Sequence, residues 1–411
     1  MTSLRQMTDA FCNGRPGKEA YDLLPSFLRA APQEIEQFVD AVLEACPQGG
    51  TFLDAALSHI SDEALERLVR KWISRAAAAG LTEATEALIA YASLQRPAAL
   101  HPYLTLLFEM DANGCAICGS WPWREAPPES LTYLLAKAAP ANEPAERLQA
   151  LERLVETRHP AAFAACAPLA ADIPALNPWH VYLEQAGFDA DLRQLYTDDV
   201  AHLVFPPTHF PPPVTSWNLQ GLHPSWHLPG TGSFRFGGPG SGTCGVCGGR
   251  LHHLLEIPEH RAGLSDRATL VALQACLSCL GWSRPVLHYR HGECGAITAL
   301  DKGPDTPEFP AQPLRECVVA LAPTPARWRW QDWALSNSRE NLHRLGGHPT
   351  WVQSAGYPDC PCCSRKMRFI LQLDSGLPSA DGEEWLWGSG GVAYAFSCAP
   401  CRTTAYLWQC T

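Results

Sequence analysis

A chain of 411 residues, 46% hydrophobic and 18% charged, is too apolar for a disordered protein and too long for one compact core. Its 31 basic and 42 acidic residues give a formal net charge of -11, so it lacks the positive field that binding to a phosphate backbone uses. Residues Met1 to Leu24 contain no apolar signal region, and no apolar run approaches the about 20 residues of a membrane helix. A cytoplasmic chain with no membrane and no nucleic-acid partner is therefore expected. Its 17 cysteines then sit in a reducing compartment, where C-x-x-C pairs favour metal over disulfides.

From about residue 17 to 196 the chain is rich in Ala, Leu and Glu at helical spacing. After Ser61, a cap residue, Leu65, Leu68, Val69, Trp72, Ile73 and Ala76 recur on one face until Gly80. A second helix is predicted from Asn142 and Pro144, with Leu148, Leu151, Leu154 and Val155 on one face. A HEAT-like stack and an irregular bundle both fit this half. Within it Cys115 and Cys118 form a C-x-x-C pair with no second pair, read as two loop thiols.

Composition changes near residue 197. Residues 204–243 carry eight prolines, among them Pro206, Pro207 and Pro211 to Pro213, and many glycines, which predicts a linker and an irregular lead-in. Beyond it, short apolar runs between Gly and Pro breaks predict strands, best defined at Val318–Ala322 and Met367–Leu373.

Two segments of this half repeat one order of features. The first has His223-Pro224-Ser225-Trp226, Cys244-x-x-Cys247, the apolar run from Leu251, and Cys276-x-x-Cys279. The second has His348-Pro349-Thr350-Trp351, Cys360-x-x-Cys363, the run from Met367, and Cys398-x-x-Cys401. In both, the apolar run begins four residues after the second cysteine, which marks an internal duplication. A C-x-x-C turn places two thiolates on one side of an ion, its backbone N–H groups can donate to sulfur, and two turns complete a tetrahedral Cys₄ set. Two structural Zn²⁺ ions are expected, held by Cys244, Cys247, Cys276 and Cys279 and by Cys360, Cys363, Cys398 and Cys401. Gly245, Gly248 and Gly249 suit the first turn. Cys362 is read as a bystander beside Cys363, and pairing across the repeats stays open.

Other patterns carry less. Gly240-Ser241-Gly242-Thr243-Cys244-Gly245 satisfies G-x-G-x-x-G, but no strand-to-helix context surrounds it. There is no G-x-S-x-G, Walker A or H-E-x-x-H sequence, so no catalytic residue and no organic cofactor site is assigned. His252-His253 and the stretch His288 to His291 are read as strand or loop surface. The tryptophans Trp328, Trp330, Trp333, Trp385 and Trp387 suit either a contact surface or a core.

The second repeat resembles the YwqG family and its relative, programmed cell death protein 2. The resemblance rests on Gly346-Gly347-His348-Pro349-Thr350-Trp351, the knuckle Cys360-Pro361-Cys362-Cys363, the run ending Leu371-Gln372-Leu373-Asp374, and Trp387-Gly388-Ser389-Gly390-Gly391. It is good over about 340–411 and partial over 215–295, where the Trp-Gly-Ser-Gly-Gly turn is missing; the helical half has no counterpart. It implies a mostly β, duplicated zinc module used for contacts with another protein, of chaperone, adaptor or immunity type. An enzyme with a site between the repeats is the alternative.

The expected architecture is α+β. An all-α domain occupies 1–200, a linker and lead-in 201–243, the first zinc repeat 215–300 and the second 335–411.

Overall fold

The helical run between Ser61 and Gly80 forms as its spacing dictates. In the computed structural model, which describes residues 3–12, 18–47, 53–110, 121–171, 173, 179–210, 222–292, 295–337 and 339–411, it is the helix Asp62–Ala79. The Ser61 side chain accepts from Ala64 N at 3.2 Å, and Gly80 leaves the helix at φ 88°. All six residues of the predicted stripe are buried. The second predicted helix spans Pro144–Glu156, with Pro144 in its first turn and Leu151, Leu154 and Val155 buried. Asn142 instead closes the preceding helix, donating to the Ala136 and Lys137 carbonyls.

Eleven α-helices lie between Leu4 and Ala186 among the described residues. Their apolar faces bury two clusters, one drawn from Met7 to Leu107 and one from Leu104 to Phe188. None of the described helices is long and apolar enough to cross a membrane.

The rest is a mostly antiparallel β module, so the α+β order read from the sequence is the one observed. Its strands are β1 (Ala201–Val204), β2 (Thr231–Phe236), β3 (Pro239–Thr243), β4 (Arg250–Pro258), β5 (Leu270–Ala275), β6 (Leu287–His291) and β7 (Ile297–Ala299). There follow β8 (Cys317–Pro323), β9 (Arg344–Leu345), β10 (Arg368–Asp374), β11 (Leu377–Pro378), β12 (Glu384–Trp385), β13 (Val392–Cys398) and β14 (Thr403–Gln409). Twelve of them make one sheet in the order β3-β4-β2-β8-β1-β9-β10-β13-β14-β6-β7, with β5 paired to β4 alone; β11 and β12 form a separate hairpin. The sheet curls until its ends meet. Gly303 N donates to Gly245 O at 3.1 Å, and β3 lies against β7.

Both predicted strands are present, as β8 and β10. β13 is buried along its whole length: Ala393 and Ala395 join one cluster, whereas Val392, Tyr394 and Phe396 join the other. The segment read as linker and lead-in corrects the sequence reading at its start. Ala201–Val204 is not linker but a buried strand between β8 and β9, and β2 and β3 follow within 231–243. Four residues amid prolines are too few to show a period, and their pairing partners lie over a hundred positions away. Pro206 and Pro207 are described; Pro211 to Pro213 lie outside the described residues.

The two halves are cross-linked along a seam. Arg327, just after β8, donates to the Leu57 and Ile60 carbonyls of the helical half and lies over the Tyr91 ring. Arg339 pairs with Asp54, Lys366 with Glu184, and Leu222 and Leu335 pack onto the first helical cluster.

Candidate metal centres

Each C-x-x-C is a tight turn at the end or the start of a strand. β3 runs into Cys244, and the chain leaves Cys247 into β4; β5 runs into Cys276. In the second repeat β10 follows Cys363, and β13 runs into Cys398 with β14 after Cys401. The structure brings together Cys244, Cys247, Cys276 and Cys279 in one group and Cys360, Cys363, Cys398 and Cys401 in another. In each, the four sulfurs lie within 4.8 Å of one another. The pairs therefore close within each repeat and do not cross.

The spacing fits a tetrahedral thiolate site. Cys247 Sγ and Cys276 Sγ are 3.8 Å apart, and Cys363 Sγ and Cys398 Sγ 3.7 Å. These separations are far beyond a disulfide bond of about 2.05 Å. They match the edge of a tetrahedron with metal–sulfur bonds of about 2.3 Å, an edge of roughly 3.8 Å.

Backbone donors surround the sulfurs. Val246 N donates to Cys244 Sγ and Gly249 N to Cys247 Sγ, each at 3.4 Å. In the second repeat the Arg365 N–H takes the place of Gly249 and holds the Cys363 thiol down to about 6, with its side chain adding to the effect. Cys244 is likewise lowered to about 5, chiefly by the Cys276 thiol. Burial pushes Cys279 up to about 12. Such a mixture is what four clustered thiols sharing too few donors show, and a cation among them would favour the thiolate at all four. The residue after the second cysteine turns left-handed in three of the four knuckles: Gly248 at φ 72°, Ser364 at 57° and Arg402 at 48°.

Gly245 meets a different demand. A Cβ there would stand 2.2 Å from Asp301 O, on the loop that closes the sheet. Gly245→Ala is expected to destabilise the first repeat by about 1–3 kcal/mol and to speed metal loss from that site alone. A chelator-release time course with a colorimetric zinc reporter checks this; release from both sites at wild-type rates would show that the loop yields freely.

The duplication seen in motif order extends to strand register. In the first repeat His253 faces Gln274 and Leu255 faces Leu273, with Leu254 bulged between them. In the second, Phe369 faces Phe396 and Leu371 faces Ala395, with Ile370 bulged. Counted from the flanking cysteines, the four positions of one repeat coincide with those of the other. A shared bulge at a shared offset is a feature that separate origins would not reproduce.

The two His-Pro-x-Trp motifs are the joints with the helical half. His223 Nδ1 accepts from Ser225 N at 3.2 Å, capping the short helix Pro224–His227, and His223 faces Asp54, Tyr91 and Gln95 across a small cavity. His348 Nε2 lies 3.0 Å from Gln185 O, and Ala355 N donates to Gln185 Oε1. Thr350 N donates to Gln372 Oε1, and Gln372 Nε2 to Leu342 O, tying this motif to β10.

Several weaker readings resolve. Cys362 is exposed, outside the cluster, and accepts from Arg290 Nη2 at 3.1 Å. Cys115, Cys118 and Cys294 lie outside the described residues. Gly240–Thr243 belongs to β3 and leads into a knuckle, not a helix. The histidines correct the sequence reading: His252, His253 and His291 are buried rather than on the surface, because β4 is covered on both faces from Leu251 to Leu255 and His291 lies on the buried face of β6. Among the five tryptophans, Trp328 and Trp387 are buried and the others partly so, in the core and the seam.

Sequence reasoning missed Arg124, Arg158 and Arg327. Isolated arginines in short turns carry no signal of the long-range partners they find.

No protein-family model matches the chain, and no solved structure matches it. A stretch of 68 residues, 16% of this chain, is 43% identical to the uncharacterized protein YpfL of Salmonella typhimurium strain LT2. The chain spans 15% of that relative's length.

Proposed function

We propose that this is a zinc-stabilised factor that binds another protein, of chaperone, adaptor or immunity type, acting in the cytoplasm without catalysis of its own. The observation that carries the reading is the closure of both candidate metal centres. Each offers four thiolates from the chain, and a tetrahedral ion so held has no position left for water or substrate. An ion in such a site organises structure. Zinc is the ion that four cysteines at these separations suit best in a reducing compartment, where the described cysteines are all unbridged.

The resemblance of the second repeat to the YwqG family and programmed cell death protein 2 supports the same reading. So does an exposed aromatic pair beside the Cys276–Cys279 turn: Trp282 and Phe309 are 45% and 49% exposed, with ring centroids 4.7 Å apart.

Affinity capture from native cytosol with the intact metal-loaded chain, followed by mass spectrometry, tests the proposal. One protein recovered in stoichiometric amount, and lost when Trp282→Ala and Phe309→Ala are combined, is the expected result. Recovery of RNA or of a turned-over metabolite in place of a protein would overturn it.

A further inference from the structure

Two guanidinium groups share one indole in the seam. Arg124 and Arg158 lie over the Trp330 ring, 4.5 and 3.8 Å from its centroid. Arg124 is 1% exposed and donates through Nη2 to Ser93 O and Leu94 O, both at 2.9 Å, at the end of helix Glu83–Gln95. Its Nε is buried without a partner. Arg158 is held at φ 59°, gives one N–H to Tyr196 OH at 2.6 Å, and also has a buried Nε without a partner. Neither forms an ion pair among the described residues; Glu156 acts on both only from a distance.

Both arginines wall a cavity of about 320 Å³ between the helical half and the β module. Buried charge is costly unless it is paired, and most buried cations in proteins have found an anion. Two guanidinium groups without an anionic partner, Arg124 buried and Arg158 half-buried, on one cavity are the arrangement that receives a carboxylate or phosphate. Glu152, Glu156 and Asp332 line the same cavity. Their charge opposes a multiply ionised phosphate, but they offer acceptors to an ammonium or amide N–H on the same ligand. The volume is at the small end for ligand sites, about 300–1,000 Å³.

We infer that this cavity binds an α-carboxylate carried next to a nitrogen donor, that is, an amino acid or the C-terminal residue of a peptide. The carboxylate sits against Arg124 and Arg158, and the nitrogen faces the three acidic side chains. The site stands independently of the proposed protein-binding role.

The test is calorimetric titration of the full metal-loaded chain with each of the twenty free L-amino acids, with N-acetyl-glycyl dipeptides ending in the same residues, with the amide of every ligand that binds, and with inorganic phosphate. At least one carboxylate is expected to bind and its amide not to. Binding of free amino acids identifies a metabolite as the source, and binding of the acetyl dipeptides alone identifies a peptide terminus. Arg158→Gln should weaken the dissociation constant about tenfold or more, with Arg158→Lys in between and both variants retaining wild-type metal content. Absence of binding by every carboxylate, equal binding of acids and amides, binding of phosphate alone, or unchanged affinity in a folded Arg158→Gln chain would each overturn the inference.

Discussion

Replacing one ligand is expected to empty one metal centre and melt the strands around it while the helices remain. Cys398 joins the cluster built from Tyr357, Met367, Phe369, Tyr394 and Phe396, so its centre pins the hairpin of β10, β13 and β14. Structural zinc contributes on the order of 10 kcal/mol to a small metal-closed unit, comparable with the whole stability of a domain. Cys398→Ser should therefore lose one ion per chain, expose apolar surface and aggregate, with the far-UV helical signal largely kept. Cys362→Ser is the matched control. That thiol is exposed and outside the cluster, so its loss should stay within about 0.5 kcal/mol. A Cys398→Ser chain that kept both ions and melted like wild type would remove Cys398 from the ligand set.

Acid should unfold the protein at an unusually mild pH, even before metal is considered. Burial holds His202, His223 and His343 down to about 3 and His209, His253 and His291 down to about 4. An unfolded histidine titrates near 6.5. Below that value the unfolded chain takes up protons that the native one refuses, so the stability present above pH 6.5 is lost as pH falls towards the native values. At pH 5 each site costs about 2 kcal/mol, roughly 12 for the six. Burial raises Asp374 and Glu340 to about 7. These two work in the opposite sense, binding protons in the native state first and returning about 5 kcal/mol at pH 5. The histidine cost is the larger of the two, so the net effect of acid at pH 5 is a loss of stability.

His209 isolates the effect. Both its ring nitrogens are buried without partners, among Phe205, Phe210 and Phe236. His209→Phe is expected to match or exceed wild-type stability at pH 7.5 and to move the acid midpoint lower. Thermal melts across pH 4–8, with bound metal measured in each sample, check this. An acid midpoint unchanged by His209→Phe would assign the acid lability to thiolate protonation instead.

What the sequence discloses and what it hides follow one physical line. Features closed over a few residues were legible: the Ser61 cap and stripe of Asp62–Ala79, the four knuckles, and the apolar run starting four residues after each first knuckle. Features made by distant pairing were not. β1 joins β8 and β9 across more than a hundred residues, and β6 of the first repeat pairs with β14 of the second. Two repeats read as separate modules thus share one sheet. The burial of His202 and His343 and the reach of Arg327 to Leu57 and Ile60 depend on that same closure, which no local pattern announces.

The metal content of the native chain tests the central claim most directly. Protein produced without added metal, purified without chelator and analysed by inductively coupled plasma mass spectrometry should carry about two zinc ions per chain, one for each Cys₄ group. Less than one zinc per chain, or iron with visible colour, would contradict it.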